Sequence, residues 1–302
     1  MTHLGALVSV IVPTYNRART LPRSVKSVFS QNYSNLELII VDDGSTDDTR
    51  AFLETVTDPR LRVIRHEVNR GASAARSTGL AAARGDLIAF QDSDDEWLEG
   101  KLSKQVAALD AAGTSCVLVY CTKIVYGRDD QFRRGRRRVV CVPGPREETL
   151  SGDLRELLWS RSFIGTPQML VRAEAARRIG GFDPRIYSSE EWDFAIRLSE
   201  TGEFEFVDEP LINTYIQTDS ISRPSPRSSF GLLVIYNKLK RKGVPRRILS
   251  GHYSKLGYRL ARTGRAGRGG TLIRAAIAMS PLAGKNWARH LAFLLRRLRG
   301  RR

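Results

Sequence analysis

This sequence predicts an α/β fold: a mostly parallel central sheet with helices on both faces, followed by a basic helical C-terminal appendage. Three observations predict it. Short runs rich in Val, Ile and Leu recur at residues 7–12, 36–41, 61–65 and 86–90, the pattern of strands buried on both faces. Stretches with helix-start signals separate these runs, and such alternation places ligands beyond the carboxyl ends of the strands. Finally, the charge is uneven. The whole chain carries +17, yet residues 1–219 hold 28 basic and 32 acidic side chains, while residues 220–302 hold 21 basic and none acidic. The positive excess is thus regional and implies a partner of its own for the tail.

Taken in order, the first strand ends in Pro13, Thr14 and Tyr15. An aromatic ring at that place either stacks a base or only packs. Thr20, Leu21 and Pro22 open a helix whose apolar stripe is Val25, Val28 and Phe29. The second strand runs into Asp42, Asp43, Gly44, Ser45 and Thr46, and Ser45 to Asp48 carry N-cap chemistry for the next helix. Of the two adjacent carboxylates, one is available to accept a base N–H, or both merely cap the turn. Residues 71–83 are Ala-rich and read as a third helix. The fourth strand leads into Gln91, Asp92, Ser93, Asp94, Asp95, Glu96 and Trp97. Clustered acids repel one another, and either solvent or a hard divalent cation shared with substrate phosphates offsets them. Residues 98–210 mix helix and strand less regularly and contain a basic run, residues 133–138, that reads as a solvated loop. Near Pro224 and Pro226 the composition shifts to that of a linker.

A chain of 302 residues with 41% apolar and 27% charged content accommodates a full α/β domain plus an appendage and excludes disordered and fibrous classes. Cys116, Cys121 and Cys141 form neither a disulfide framework nor a zinc pattern, and read as thiols of a reducing compartment. The N-terminal apolar stretch reads as a strand rather than a signal peptide, and no run reaches the 18 or so residues that a membrane span needs. The expected location is the cytosol or the cytoplasmic face of the membrane.

Four motifs occur in order: YNR after the first strand, VDDGSTDDT after the second, NRGASAAR at 69–76, then GDLIAFQDSDD. Together they resemble glycosyltransferase family 2, the inverting enzymes of GT-A fold that use nucleotide-diphospho-sugars, over roughly residues 7–215. The resemblance implies a catalytic domain at 1–222, with a nucleotide-binding half at 1–97 and an acceptor half at 98–222, leaving 223–302 as the basic region. It places Pro13 and Tyr15 against the nucleoside, Asp43 on the base, and Arg76 near the base or diphosphate. Asp92 and Ser93 fall on the nucleotide-sugar side of a D-x-D element, and Asp92 and Asp94 face Mg²⁺ or Mn²⁺. A uracil or thymine nucleotide is implied as donor, with a glycan or lipid-linked hydroxyl as acceptor. Where the family carries Glu-Asp before an aromatic residue, this chain has Glu190, Glu191 and Trp192, so Glu191 takes the position of the base, with Glu190 as the alternative. Both glutamates also read as acids that favour a helix N-terminus. Gly165-Thr166-Pro167 and Gly180-Gly181-Phe182-Asp183 resemble acceptor-side loops. Ser77 and Gln217 depart from the pattern, and Gln217 cannot supply the cation common after the last core strand.

In the tail, Trp287, Leu291, Leu294 and Leu298 share one helical face with Arg289, Arg296 and Arg299 on others, and Leu249, Tyr253, Leu256 and Leu260 repeat the spacing. Such helices lie on an anionic membrane surface or pack their apolar stripes inward. Dehydrogenase and P-loop classes are excluded, because neither Gly-rich motif is present. A nucleotidyltransferase of similar fold would need a basic phosphate cradle beside the first strand. The remaining competitor is a nucleic-acid- or membrane-binding protein acting through the tail, with a non-catalytic nucleotide-sugar-binding domain. Against nucleic acid, the basic residues lack interleaved aromatics in number.

Overall fold

The structure, a computed structural model, describes residues 5–128, 137–143, 150–216 and 225–299. Residues 133–136 of the basic run, Gln217, Pro224 and the side chains of Arg296, Leu298 and Arg299 lie outside what is described. The chain divides into two compact units: residues 1–184 with 190–218, and residues 185–189 with 219–302.

In the first unit the predicted strands form: β1 (Val8–Thr14), β2 (Leu36–Asp42), β3 (Leu61–Arg65) and β4 (Leu87–Phe90). They pair in parallel in the order β3-β2-β1-β4. Beyond β4 the sheet becomes mixed. Strands β5 (Glu96–Trp97), β6 (Cys116–Arg128), β7 (Arg137–Val142), β8 (Met169–Arg172) and β9 (Glu203–Tyr215) continue it as β4-β8-β6-β9-β5, with β7 on β6. Strand β8 runs antiparallel to both β4 and β6, whereas β9 is parallel to β6. Irregular patterning in the second half of the domain reflects this change of pairing.

Apolar runs forecast strands buried on both faces, and β1 and β4 are buried throughout. One face carries Val8, Val10, Val12, Leu38, Ile40, Leu87 and Ala89, which share a core with α1 (Leu21–Phe29) and α4 (Lys101–Ala112). Side chains on the opposite face, one residue out of phase, meet α3 (Ala72–Ala82) and α7 (Glu190–Leu198). There the Phe90 ring lies edge-on to Phe182 and Phe194, at centroid distances of 5.2 and 5.8 Å. Strand β3 departs from the forecast: Arg62, Val63 and Arg65 are exposed, because β3 is the outermost strand at that edge. The helix starts differ in detail. Thr20 makes no side-chain cap, and the first turn of α2 (Thr49–Thr55) is held by Asp47, whose Oδ1 accepts from the Thr49 amide at 3.0 Å. Short helices α5 (Arg155–Ser160) and α6 (Ala173–Arg178) complete the unit.

The second unit contains α8 (Pro226–Arg241), α9 (Arg246–Arg262), α10 (Ala266–Met279) and α11 (Gly284–Arg299). Ser225 caps α8 by accepting from the Ser228 amide at 3.0 Å, and Pro226 opens it where a missing N–H costs nothing. Helices α9 and α10 touch backbone to backbone, since a Cβ on Gly257 would lie 2.6 Å from the Gly269 carbonyl oxygen. The two look-alike tail helices behave oppositely. Leu249, Tyr253, Leu256 and Leu260 of α9 are buried, whereas Trp287, Leu291 and Leu294 of α11 are exposed, Trp287 by 51% and Leu291 by 59%. Helix α11 instead turns Phe293 inward against Ala261 and Ile273. Among the described residues, no helix is long and apolar enough to cross a membrane.

Gly79 sets how closely α3 approaches β1, because a Cβ there would lie 2.4 Å from Ile11 Cγ2. Gly79→Ala is therefore expected to destabilise the protein by about 1–3 kcal/mol through overpacking, measured by denaturant unfolding against wild type.

Candidate active site

Except for Arg76, which lies on α3, each predicted site residue in the first half lies at the carboxyl end of a strand or in the loop beyond it. Register brings these ends together: the Asp43 amide donates to the Thr14 carbonyl at 2.8 Å, and the Gln91 amide to the Ile11 carbonyl at 3.0 Å. Pro13 is buried and Tyr15 is 41% exposed beside them. Asn16 adopts a left-handed conformation, φ 53°, which Asn tolerates better than most residues. It fastens the β1 loop to the β2 loop, accepting from the Thr46 amide at 2.8 Å and donating its own amide to Ser45 Oγ at 2.9 Å.

Asp42 and Asp43 divide their work. Asp42 accepts from the Ser45 amide at 2.9 Å and pairs with Arg65 at 3.0 Å, the turn-capping role. Asp43, 3% exposed, gathers the NRG segment: Oδ1 accepts from the Arg70 amide at 3.0 Å and Oδ2 from the Gly71 amide at 2.7 Å. His66 Nδ1 lies 2.6 Å from Asp43 Oδ1, and its Nε2 2.9 Å from Thr78 Oγ1. With Nδ1 donating to the carboxylate, a neutral ring accepts from Thr78. The sequence gives no signal for His66, which is an isolated histidine after an edge strand.

Arg76 organises the centre. It is 4% exposed on α3; Nη2 donates to Asp92 Oδ1 at 2.7 Å and Nη1 to Glu190 Oε1 at 2.6 Å. Burial by itself would weaken the guanidinium charge, and the two carboxylates more than restore it. Phe182, in the Gly180–Phe182 turn, lies under the guanidinium at 5.7 Å. One side chain thus joins the β4 loop to the first turn of α7.

Both glutamates fall inside the first turn of α7 rather than ahead of it. Glu190 is buried and committed to Arg76; Glu191 is half-buried. Loss of solvation, then the neighbouring Glu190 charge, pushes the Glu191 carboxyl up to about 8, against the pull of Arg76 and Lys123. Perturbed carboxyls of this kind are common at functional sites. The two glutamates that the sequence left as alternatives thus differ in their surroundings.

The acidic loop is held from two sides. Arg23 Nη2 donates to the Asp94 carbonyl at 2.6 Å and Ser24 Oγ to the Asp92 carbonyl at 3.0 Å. The Arg23 guanidinium stacks on Tyr215 at 3.9 Å, and the Tyr215 hydroxyl reaches Glu96 at 3.1 Å. Asp95 is buried, accepts from Thr214 Oγ1 at 2.8 Å, and is pushed well above the usual range by burial and then by Asp92 and Asp94. Ser93 is buried between them. The Asp92 side chain is 30% exposed, and its second oxygen accepts no hydrogen bond among the described residues. One open carboxylate oxygen in a self-repelling acidic loop fits a hard divalent cation. No cluster of three or more metal-binding side chains occurs among the described residues.

Beneath the loop, Lys101 is fully buried, donates to Gln105 Oε1 at 2.6 Å and lies 4.0 Å over the Trp97 ring, with burial lowering its ammonium to about 8. It was not foreseen, since a lysine at a helix start normally reads as exposed.

The carboxyl ends of the parallel strands present an acidic loop that Arg76 ties to a helix starting with two adjacent glutamates. The family model for glycosyl transferase family 2 matches residues 9–180, and the chain belongs to that family. It is 30% identical over 240 residues to the Escherichia coli K12 putative colanic acid biosynthesis glycosyl transferase WcaA, covering 78% of this chain and 82% of that protein. It is 43% identical over 103 residues to the E. coli UDP-Glc:alpha-D-GlcNAc-diphosphoundecaprenol beta-1,3-glucosyltransferase WfgD, a match covering 34% of this chain and 41% of WfgD. The fold matches S. aureus TarS 1-349, solved in complex with UDP-GlcNAc, at a TM-score of 0.69 and 18% identity over 95% of this chain and 89% of that one. The architecture is thus the expected GT-A fold, with the C-terminal helical region present.

Glu191 binds its proton more tightly folded than unfolded, so between its usual 4.5 and about 8 the folded state loses stability as pH rises. Glu191→Gln removes that loss. Thermal melts should show the variant above wild type at pH 8 and level with it at pH 5.

Proposed function

We propose that this chain is an inverting glycosyltransferase that moves a sugar from a UDP- or dTDP-sugar to a hydroxyl of a glycan or lipid-linked acceptor. The observation that supports the reading is the Arg76 clamp, which ties Asp92 of the D-x-D loop to Glu190, the neighbour of Glu191 in the chain. The uridine donors and the diphospholipid acceptor named for TarS and WfgD support the donor and acceptor classes.

In the proposed step the acceptor hydroxyl gives its proton to Glu191 while its oxygen bonds to the anomeric carbon. The bond from that carbon to the diphosphate breaks on the opposite face, and the electron pair leaves with the phosphate oxygen. Only the ionised form of Glu191 takes the proton, so its raised proton affinity ties transfer to pH values near or above 8. Arg76 holds Glu190 in an ion pair. Tyr15 offers a face for the base, and Asp43 fixes the loop beneath it. A Mg²⁺ or Mn²⁺ ion at Asp92 and Asp94 would neutralise charge on the leaving diphosphate.

The tail supports attachment to the cytoplasmic face of an anionic membrane rather than binding to nucleic acid. Trp287, Leu291 and Leu294 stand exposed on a helix within a region free of acidic residues. Apolar burial and about 1 kcal/mol for each basic residue at the surface combine to hold such a helix there.

Two measurements check these readings. Binding and hydrolysis across UDP-, dTDP- and GDP-sugars with Mn²⁺ or Mg²⁺ should show one metal-dependent donor, lost in Asp94→Ala; no donor binding under any condition would overturn the transferase reading. In vesicle co-sedimentation, the protein should bind phosphatidylglycerol-containing vesicles over pure phosphatidylcholine, and Trp287→Ala with Leu291→Ala should release it. Equal sedimentation of the double variant would refute membrane attachment through α11.

A further inference from the structure

Lys123 is a cation for which the mechanism above has no use. It sits on β6, register-paired with Val142 of β7 and Ile212 of β9, and is half-buried. Its charge is felt by Asp95 of the acidic loop and by Glu191. Yet no acceptor among the described residues takes a hydrogen bond from its ammonium, although two carboxylates lie within its electrostatic reach. The other cations nearby are committed: Arg76 to Asp92 and Glu190, Arg23 to the Asp94 carbonyl and the Tyr215 ring.

The path of the side chain is kept clear. Gly165 has φ −89° and ψ 157°, an extended conformation open to any residue, so backbone strain does not require glycine there. What requires it is space: a Cβ on Gly165 would lie 2.8 Å from Lys123 Nζ and 3.1 Å from Gln168 Oε1. The Gly165 amide is itself held by Gln168 Oε1 at 2.7 Å, which fixes the Gly165 backbone beside the lysine. A partly desolvated ammonium with open hydrogen-bond donors, guided past a bare α-carbon between the acidic loop and the proposed base, fits an anionic ligand group.

We propose that Lys123 holds a substrate phosphate at the transfer centre, either of the donor diphosphate or of a diphosphate-linked acceptor, and that Gly165 lacks a side chain to let it reach there. This rests on the transferase reading. A lysine that merely balanced the acidic cluster would act on stability and leave ligand affinity alone.

The test is a double-mutant cycle on the full chain, with Lys123→Ala, Gly165→Ala and the pair, each checked by thermal melting. Calorimetry with UDP and Mn²⁺ reads the donor arm, and the acceptor KM in the transfer assay reads the acceptor arm. Lys123→Ala should weaken one arm by about ten- to hundredfold. Gly165→Ala, which asks the flexible end of the lysine to move and Gln168 Oε1 to give by a few tenths of an ångström, should weaken the same arm and add little in the Lys123→Ala background. A change in UDP affinity assigns the donor phosphate; a change confined to acceptor KM assigns the acceptor phosphate. Unchanged affinities in an active wild-type comparison would overturn the proposal, as would a Gly165→Ala loss that persists without the lysine. A wild type that binds no nucleotide would instead sink the transferase reading itself.

Discussion

A guanidinium with 4% of its surface exposed calls for opposite charge beside it, and the layout of this site follows from how Asp92 and Glu190 supply it to Arg76. Two carboxylates separated by 98 residues in the chain converge on it, Asp92 from the end of a strand and Glu190 from the start of a helix. Each carboxylate pairs with the same guanidinium, so the ion triad ties the acidic loop to α7. The close approach of α3 to β1 at Gly79 and the aromatic support of Phe182 serve the same end. Glu191, next in sequence after a carboxylate that is already spoken for, is left to be tuned by its surroundings.

That tuning carries a cost in stability. Asp92, Asp94, Asp95, Glu190 and Glu191 lie in one region, and burial first, then the neighbouring acids, makes both Asp95 and Glu191 hold their protons more tightly. A fold shaped only for stability would disperse such charges. The surrounding structure offsets the repulsion with neutral donors and cations placed around the loop's rim: Ser24, Thr214, Arg23 and Arg76. Lys123 adds a positive charge without closing any of the acids off, so the region stays receptive to cations and to phosphate together.

The helical unit shows how little amphipathic spacing says about burial. Helices α9 and α11 carry the same kind of apolar stripe, yet one stripe is buried and the other faces outward. Glycine contact between α9 and α10, together with Phe293 set off the Trp287 stripe, decides which face of α11 turns inward. An exposed aromatic and leucine face with no acidic residue in its whole region is a surface suited to lipid.

By itself the sequence determined the first four strands, their order along the chain and the turns that follow them, because buried parallel strands and turn residues are local, composition-driven signals. The D-x-D loop, Asp43, Arg76 and the glutamate pair stood out through the resemblance to a family rather than through composition. It did not determine the edge exposure of β3, the antiparallel insertion of β8 between β4 and β6, the commitment of Glu190 to Arg76, or the buried positions of His66 and Lys101. Those depend on neighbours distant in the chain. Strand pairing and ion pairing are settled by which groups meet in space, and a one-dimensional pattern carries the residue types without the distances that decide between them.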